Sequence, residues 1–355
     1  MAALKTYYMK RLAQMIAPSF DVLQINHLLK PIYAGKGHIL MLHRVLPADS
    51  RARIHNHLSL EITPRHLEEI LKYLKKEGYD FISIDDVPDR IKRKTKRRFI
   101  VVTFDDGYKD NLLHALPVFE KYQVPFTVYV CNDFPDKKVF LWWYILEELL
   151  LKKEKLVIPT NKQVYQFDTS SYLKKESAFN KIRKLKNQGL ISDQELNKVF
   201  MKGGIDVVSY LEDKVLSWEE IGLLASHPLV TIGAHTLSHL PLKVLDERSL
   251  KQEIQSSKQN LEKAIGKDVN HFAYPFGSPA ELGKREIELV EQLHFKTAVT
   301  TSLGNIHPVH EQQLFCLPRI TINSLTTQKV LKAQLSGVLP MIQNKFKRST
   351  IEQFK

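Results

Sequence analysis

The chain has 355 residues, of which 52 are Lys or Arg and 39 are Asp or Glu, so its formal net charge at pH 7 is +13. A hydrophobic fraction of 43% and a charged fraction of 26% exclude collagen, low-complexity and disordered chains. No apolar stretch reaches the roughly 18 residues that a membrane-spanning helix requires. We therefore expect a globular protein made of one large domain with additions, or of two domains.

The first residues and the cysteines bear on where the protein works. Residues 1–20 contain basic residues but no continuous apolar run and no small-residue cleavage site, so a secretory signal is not indicated. Cys131 and Cys316 lie far apart in the sequence, and neither a disulfide framework nor a thiolate zinc site is expected. These features favour a cytoplasmic location.

Short apolar runs rich in β-branched residues recur along the chain and predict buried strands. The runs are residues 38–45, 80–84, 99–104, 126–130, 229–233, 271–274, 296–300 and 317–322. Helical patterns lie between them, at residues 64–77, 111–122 and 246–265. This alternation predicts an α/β fold with a parallel sheet of seven or eight strands, closed into a complete or distorted (β/α) barrel. In (β/α) barrels the active-site residues lie at the carboxyl-terminal ends of the strands.

Three segments fall outside this alternation, and each is expected to be helical. Residues 140–216 form a predicted insertion between two strands, with hardly a strand candidate of its own. Residues 1–35 are expected to form an N-terminal helical extension and residues 326–355 a basic C-terminal one. The central domain then spans residues 36–325. We expect the insertion to cover the carboxyl-terminal rim of the barrel, with a partner interface as an equal alternative.

Two strand ends carry residues that can bind a metal ion. The run at residues 99–104 leads directly into Asp105 and Asp106; such a pair is more often an Asx-type turn, but here burial of the strand leaves both carboxylates at the rim. After a later strand candidate, His235 and His239 are four residues apart, which would place both imidazoles on the same side of a helical turn. Two histidines and one carboxylate form a three-ligand site with a position open for water. Core or surface histidines are the alternative.

Other candidate residues follow further strand ends. His43 lies near the end of the first strand candidate, and residues 272–277 (Phe-Ala-Tyr-Pro-Phe-Gly) end another strand in a turn. Taken alone, the histidine is typical of a core or rim residue and the second segment is typical of a simple turn. Trp218 opens a helix behind a predicted capping box, and its indole either lines a binding site or belongs to the core.

Together these segments resemble the polysaccharide deacetylase family, also called the NodB-homology or carbohydrate esterase family 4 enzymes. Three motifs in order carry the resemblance: Thr-Phe-Asp-Asp-Gly at 103–107, His-Thr-Leu-Ser-His at 235–239 and Tyr-Pro-Phe-Gly at 274–277. The resemblance covers about residues 36–323 without the insertion. It implies a metal-dependent hydrolase that removes acetyl from an amino sugar of a cell-envelope, capsular or exopolysaccharide glycan, or of its lipid-linked precursor.

The resemblance also implies a role for each residue of the site. Asp105 would be the general base. Asp106, His235 and His239 would bind one divalent metal ion, with zinc expected first and cobalt, nickel or iron as alternatives. The backbone N–H of Phe276 would stabilise the tetrahedral oxyanion.

One of two departures points to the permuted branch of the family, which acts on exopolysaccharides such as biofilm poly-N-acetylglucosamine, and the other concerns the residue that orients the base. Most members place the general acid in a late Leu-x-His motif, but residues 317–320 here contain no histidine. In the permuted branch the acid comes from the first strand, which implies His43. Ala273 replaces the arginine that usually orients the base, and Arg319 is the candidate substitute. The predicted substrate-binding residues are Tyr274, Pro275, Trp218 and Arg319.

Several alternatives and one charged segment remain. A deformylase or another small-amide hydrolase fits the same motifs, and a non-catalytic glycan-binding or scaffold protein would keep the fold.

The densest basic run begins at Arg90 and ends at Arg98, and it contains no aromatic residue that could stack on a base. Arg98 lies roughly 23 Å from Asp105 along one strand, at about 3.3 Å per residue. We expect no nucleic acid, and we expect the run to be solvated or to rest on an anionic membrane surface.

Overall fold

A computed structural model describes residues 25–48 and 53–354 of the chain. Most of the predicted N-terminal extension, residues 1–24, lies outside these described residues, and the remainder forms helix α1 (Ile25–Tyr33). None of the helices in the described ranges combines the length and the apolar character needed to cross a membrane.

Strands and helices alternate through most of the chain. The strands are β1 (Gly37–Leu42), β2 (Arg44–Val45), β3 (Glu61–Ile62), β4 (Asp80–Phe81), β5 (Phe99–Phe104), β6 (Phe126–Val130), β7 (Lys155–Pro159), β8 (Val164–Asp168), β9 (Val230–Ala234), β10 (His271–Ala273), β11 (Thr297–Leu303) and β12 (Leu317–Thr321). The further α-helices are α2 (Pro64–Lys76), α3 (Val87–Lys92), α4 (Leu116–Tyr122), α5 (Trp142–Lys152), α6 (Tyr172–Asn187), α7 (Asp193–Lys202), α8 (Val207–Glu212), α9 (Trp218–Ser226), α10 (Glu247–Ile265), α11 (Lys284–Gln292), α12 (Gln328–Leu335) and α13 (Val338–Gln343). A π-helical turn (Asn111–Ala115) precedes α4.

Seven parallel strands close into a barrel in the order β1-β12-β11-β10-β9-β6-β5, because β5 pairs back with β1. Strand β4 adds to the amino-terminal end of β5 outside the closed ring. Each of the eight apolar runs in the sequence overlaps one strand of this sheet. The prediction of a distorted (β/α) barrel of seven or eight strands is therefore confirmed.

Strand alternation divides the apolar side chains between two layers. Ile39 and Val101 point into the barrel and pack with Tyr129. Leu40 and Val102 point outward and pack against the covering helices. The same alternation directs the side chain of Asp105, the first residue after β5, toward the barrel interior.

The insertion between β6 and β9 is not wholly helical, so this part of the prediction is wrong. Helices α5 to α8 form as expected, but β7 and β8 pair as an antiparallel hairpin between them. The hairpin follows a period-two pattern: Leu156 and Ile158 are buried while Val157 is exposed. Leu156 and Ile158 belong to a separate apolar core that also contains Phe179 and Phe200. Both strands are only five residues long and lie in a segment that otherwise has helical periodicity, so this strand pattern was missed.

The C-terminal segment packs on the barrel. Helices α12 and α13 lie in it, and Phe354 is buried in the outer layer of the barrel core. The carbonyl oxygen of Ser349 lies 2.8 Å from Nε2 of His310, which fixes the same segment to the loop after β11.

The basic run lies at the amino-terminal end of β5, whereas the two aspartates follow its carboxyl-terminal end. Arg90 pairs with Asp80 at 2.8 Å. Arg98 donates to the carbonyl oxygens of Gly35 and Lys30, at 3.1 and 3.4 Å, at the end of α1. Two of the seven basic residues therefore hold the fold together, and the side chains of residues 92–97 are exposed.

Candidate metal centre and active site

Asp105 and Asp106 follow β5 at the carboxyl-terminal rim of the barrel. The N–H of Asp105 donates to the carbonyl oxygen of Leu42 at 3.0 Å, so the pairing of β5 with β1 continues past the last strand residue. Asp106 then has a left-handed backbone with φ of 82°, and Gly107 follows with φ of 98°. This turn lets two adjacent carboxylates serve different partners.

His235 and His239 lie in an irregular loop after β9, so the expected helical turn is wrong. Thr236 and His239 have left-handed backbones, with φ of 68° and 57°. The Thr236 hydroxyl accepts a hydrogen bond from the N–H of His239 at 3.1 Å and closes the loop. The two imidazole rings lie 4.9 Å apart between centroids. A tight loop, and not helical spacing, brings them together.

Asp106, His235 and His239 converge on one point, as the sequence predicted. The ligand atoms that they offer all lie within 4.8 Å of one another. Oδ1 of Asp106 is 3.5 Å from Nε2 of His235 and 3.4 Å from Nε2 of His239. Nδ1 of His235 lies 2.7 Å from the carbonyl oxygen of Ala273, an acceptor only, so this nitrogen carries the proton and Nε2 faces the site.

The three side chains fit a divalent metal ion. Oδ1 of Asp106 is buried with no hydrogen-bond partner in the described part of the chain, an arrangement that is costly without a cation. Bonds of about 2.0–2.1 Å to a tetrahedral zinc ion place neighbouring ligand atoms roughly 3.3 Å apart, close to the two separations between Asp106 and the histidines. Burial raises the pKa of Asp106, but the nearby His235 and His239 outweigh burial and hold this pKa well below its usual value. The carboxylate is therefore ionised, as a ligand must be.

Asp105 forms a bidentate ion pair with Arg319 on β12. The guanidinium donates to Oδ1 at 2.7 Å and to Oδ2 at 2.6 Å. It also donates to the carbonyl oxygen of Thr300 at 2.9 Å and to the hydroxyl of Thr103 at 3.1 Å. Burial raises the pKa of Asp105, but the charge and hydrogen bonds of Arg319 lower it by more. The arginine that usually contacts this carboxylate is replaced by Ala273. Arg319 contacts the carboxylate instead.

Arg319 does not bind substrate directly, and that part of the prediction is wrong. Its side chain has an exposed fraction of 0% and faces the barrel interior. The predicted contacts of Tyr274 and Pro275 with substrate fail for a related reason, since both are buried. Strand alternation points Tyr274 outward, where its ring packs on Phe272 and its hydroxyl donates to the carbonyl oxygen of Phe315 at 2.9 Å.

His43 lies between β1 and β2, and two residues outside the predicted set hold the chain at this histidine and the two residues after it. Nδ2 of Asn111 donates to the carbonyl oxygen of His43 at 2.9 Å. Asp110 accepts from Nε of Arg44 at 2.8 Å and from the N–H of Val45 at 2.7 Å. A signal was available, because an Asp-Asn pair follows the Asp-Asp-Gly motif by only two residues.

The imidazole of His43 lies within the electrostatic field of both aspartates. Burial lowers its pKa, while the charges of Asp106 and Asp105 act in the opposite direction without cancelling the effect of burial. The structure therefore brings His43 to the same site as the predicted base and metal ligands.

Phe276 lies at the turn after β10. Its backbone has φ of 59°, and its N–H has no acceptor among the residues that the structure describes. Its side chain is 49% exposed, and its ring lies 4.9 Å from the imidazole of His239. The role of this N–H as an oxyanion donor stays a prediction.

The insertion ends beside the loop that carries the two aspartates. The N–H of Lys109 donates to the carbonyl oxygen of Lys214 at 2.9 Å, and the N–H of Leu216 donates to that of Gly107 at 3.0 Å. Trp218 follows directly: its indole N–H donates to Asp136 at 2.8 Å, and its ring packs against the outer core. A contact of this indole with sugar stays a prediction.

Comparison with known proteins identifies the family. The family model "Polysaccharide deacetylase" matches residues 92–298, more than half of the chain. The chain belongs to the polysaccharide deacetylase family. The resemblance seen in the three motifs is thereby confirmed, and the predicted enzyme class, hydrolases of carbon–nitrogen bonds in linear amides, is that of the family.

One curated relative is the Bacillus subtilis protein YxkH, which carries the same family name. It is 30% identical over 74 residues, which make up 20% of this chain and 26% of that protein. The chain thus matches about a quarter of the length of this relative.

Several solved structures share the fold. The Streptococcus pyogenes deacetylase PplD, solved in complex with acetate, aligns with a TM-score of 0.55 and 17% identity over 84% of this chain and 98% of that one. IcaB from Ammonifex degensii aligns with a TM-score of 0.53 and 18% identity, over 86% and 98%. A de-N-acetylase from Aggregatibacter actinomycetemcomitans aligns with a TM-score of 0.52 and 15% identity, over 84% and 98%.

Proposed function

We propose that this protein removes the N-acetyl group from an amino sugar of a cell-envelope, capsular or exopolysaccharide glycan, or of its lipid-linked precursor, in a metal-dependent reaction. The observation that carries the proposal is the convergence of Asp106, His235 and His239 next to a separate, ionised carboxylate, Asp105. Membership of the polysaccharide deacetylase family supports the reaction type.

Asp106, His235 and His239 would hold the metal ion, which we propose to be zinc, with cobalt, nickel or iron as substitutes. Imidazole and carboxylate ligands suit all four ions. When bound, such an ion polarises the acetyl carbonyl and lowers the pKa of water towards about 7.

Asp105 would accept the proton of the attacking water. Its two oxygens offer about four lone-pair sites, and Arg319 uses one on each oxygen, so acceptor capacity remains. Because the ion pair keeps the pKa of Asp105 below its usual value, the carboxylate is ionised at neutral pH. Its fixed orientation is what a general base requires.

Phe276 would act on the acetyl carbonyl, and His43 would act on the nitrogen of the bond that breaks. The backbone N–H of Phe276 would donate to the oxyanion that develops on the acetyl carbonyl. In its protonated form, which takes its proton from solvent and is favoured by the charges of Asp106 and Asp105, the imidazole of His43 would donate that proton to the departing sugar amine, which is a poor leaving group without it. The two groups lie on loops after different strands of the barrel rim.

Acetate release from N-acetylglucosamine oligomers tests the proposed function. Zinc-loaded protein is expected to release acetate, and the Asp106→Ala variant is expected to release none. An aryl acetate serves as a second substrate. Cleavage of the aryl ester without action on the oligomers would indicate another glycan or acyl group, as in a deformylase or small-amide hydrolase. No cleavage of either substrate with zinc bound would support a non-catalytic glycan-binding protein.

We also propose that the exposed part of the basic run binds anionic lipid at the cytoplasmic face of a membrane. Five exposed basic residues lie there: Lys92, Arg93, Lys94, Lys96 and Arg97. Each can contribute about 1 kcal/mol near an anionic surface. The run lies at the opposite end of β5 from the aspartates, so the active-site rim would stay open to substrate.

Vesicle flotation tests this contact with lipid. Recovery is expected with vesicles that contain phosphatidylserine and not with neutral ones, and it should fall in an Arg93→Glu, Lys94→Glu double variant. Reversal of two exposed lysines on α10, Lys251→Glu and Lys263→Glu, is the matched control. Equal recovery with both kinds of vesicle would contradict the proposal.

A further inference from the structure

Glu253 on α10 holds the loop between the two histidine ligands, although it is not itself one of the three converging ligand residues. Its Oε2 accepts hydrogen bonds from the backbone N–H groups of Leu237 and Ser238, both at 3.0 Å. Its Oε1 accepts one from the hydroxyl of Ser238 at 2.6 Å. One carboxylate therefore serves three donors within the five-residue segment that starts and ends with a ligand.

The loop requires such support because of its backbone. Thr236 and His239 both have positive φ, a conformation that residues other than glycine keep only where the surroundings enforce it. Hydrogen bonds to an ionised carboxylate are shorter and stronger than those between neutral groups. Glu253 is thus well suited to keep the loop in this shape.

The same helix fixes the other side of the loop. The carbonyl oxygen of Thr236 accepts from the N–H of Asn132 at 3.1 Å. The hydroxyl of Ser257, one helical turn after Glu253, donates to the side-chain oxygen of Asn132 at 3.1 Å. Helix α10 therefore determines where His235 and His239 lie relative to Asp106.

We propose that Glu253 is a positioning residue that pre-arranges His235 and His239 for the metal ion. The inference rests on the proposed function in one respect, that the site binds a divalent metal. Without the carboxylate, the loop would have to be reordered each time the metal binds. Loss of such outer contacts typically weakens metal binding by about 10- to 100-fold.

Zinc affinity of the full-length protein tests the proposal without any assay of activity. The zinc dissociation constant is measured by competition with a chromophoric chelator, and the visible spectrum of the cobalt-substituted protein reports ligand geometry. Glu253→Ala is expected to bind zinc about 10- to 100-fold more weakly and to show an altered cobalt spectrum. Glu253→Gln keeps one acceptor oxygen, and its zinc affinity is expected to lie between those of the unaltered protein and Glu253→Ala. This variant tests the proposal if the alanine variant does not fold.

Glu262→Ala is the matched control. Glu262 lies on the same helix and accepts a backbone hydrogen bond from Val269 at 3.1 Å, but it does not contact the histidine loop. Unchanged zinc affinity and cobalt spectrum in both Glu253 variants would overturn the positioning role of Glu253 but not the metal site. An equal loss of zinc affinity in Glu262→Ala would do the same. Absence of zinc binding by the unaltered protein would overturn the metal site, and the proposal with it.

Discussion

Arg319 donates one hydrogen bond to each carboxylate oxygen of Asp105, from a position 214 residues later in the chain. Barrel closure makes this contact possible, because β12 pairs with β1 and β1 pairs with β5. Both side chains are almost fully buried. The orientation of the proposed base thus depends on the last strand of the barrel.

Replacing Arg319 tests this dependence. Arg319→Lys keeps a positive charge but loses the planar fork, so we expect kcat to fall by roughly 100-fold with little change in zinc affinity. Steady-state kinetics and a zinc titration measure the two effects separately. Arg319→Met leaves a buried unpaired carboxylate and should lower the free energy of unfolding by about 3–5 kcal/mol. A lysine variant with unaltered kcat would show that the ion pair does not orient the base.

His43 should matter in proportion to how poor the leaving group is. We expect His43→Ala to lower kcat/KM on N-acetylglucosamine oligomers by about 10²- to 10⁴-fold. The loss on an aryl acetate should be far smaller, because a phenolate departs without a proton. Asn111→Ala, which frees the backbone carbonyl of His43, should act in the same direction with a smaller effect. Equal losses on both substrates would mean that His43 is not the acid.

Two buried histidines should make the folded state sensitive to acid. Burial lowers the pKa of His38 and of His307 to about 3, against about 6.5 in the unfolded chain. Between these values the unfolded chain binds protons that the folded chain does not, so the free energy of unfolding falls as the pH drops below about 6.5. Each histidine contributes a slope of about 1.4 kcal/mol per pH unit in this window.

Urea unfolding between pH 4.5 and 7.5 measures that slope. His38→Gln should reduce it by about 1.4 kcal/mol per pH unit. An identical slope in the His38 variant would show that this imidazole is protonated equally in the folded and unfolded states.

The insertion and the barrel should unfold together through Tyr144. Its ring on α5 lies 4.7 Å from the guanidinium of Arg44 and packs edge-on against Tyr108, in the loop after the two aspartates. Tyr144→Ala is expected to lower the free energy of unfolding by about 3–5 kcal/mol, whereas Tyr144→Phe keeps the ring and should be much milder. Equal effects of the two substitutions in urea unfolding would contradict a packing role.

The barrel could be predicted from the sequence because its strands are buried on both faces. Such strands are continuous apolar runs, and all eight runs became strands of one sheet. The hairpin in the insertion was missed because its strands are only five residues long and only one of its faces is buried, so exposed residues, among them Val157, alternate with Leu156 and Ile158.

The metal ligands could be predicted from residue type and position, but their local geometry could not. Positive φ at Thr236 and His239 could not be predicted from the sequence, since neither residue is glycine. Tyr274 was misplaced because the direction of a side chain at a strand end depends on register. Glu253 lies 16 residues from Leu237 on a helix, and only the packing of that helix brings it to the loop.

The most direct test of the central claim is a zinc titration of chelator-treated protein with acetate release followed in the same samples. We predict no release without zinc, a linear rise up to one equivalent of zinc per chain, and no release at any zinc concentration from Asp106→Ala. Release that persists in the chelator, or zinc bound at one equivalent with no cleavage of oligomer or aryl acetate, would contradict a metal-dependent deacetylase.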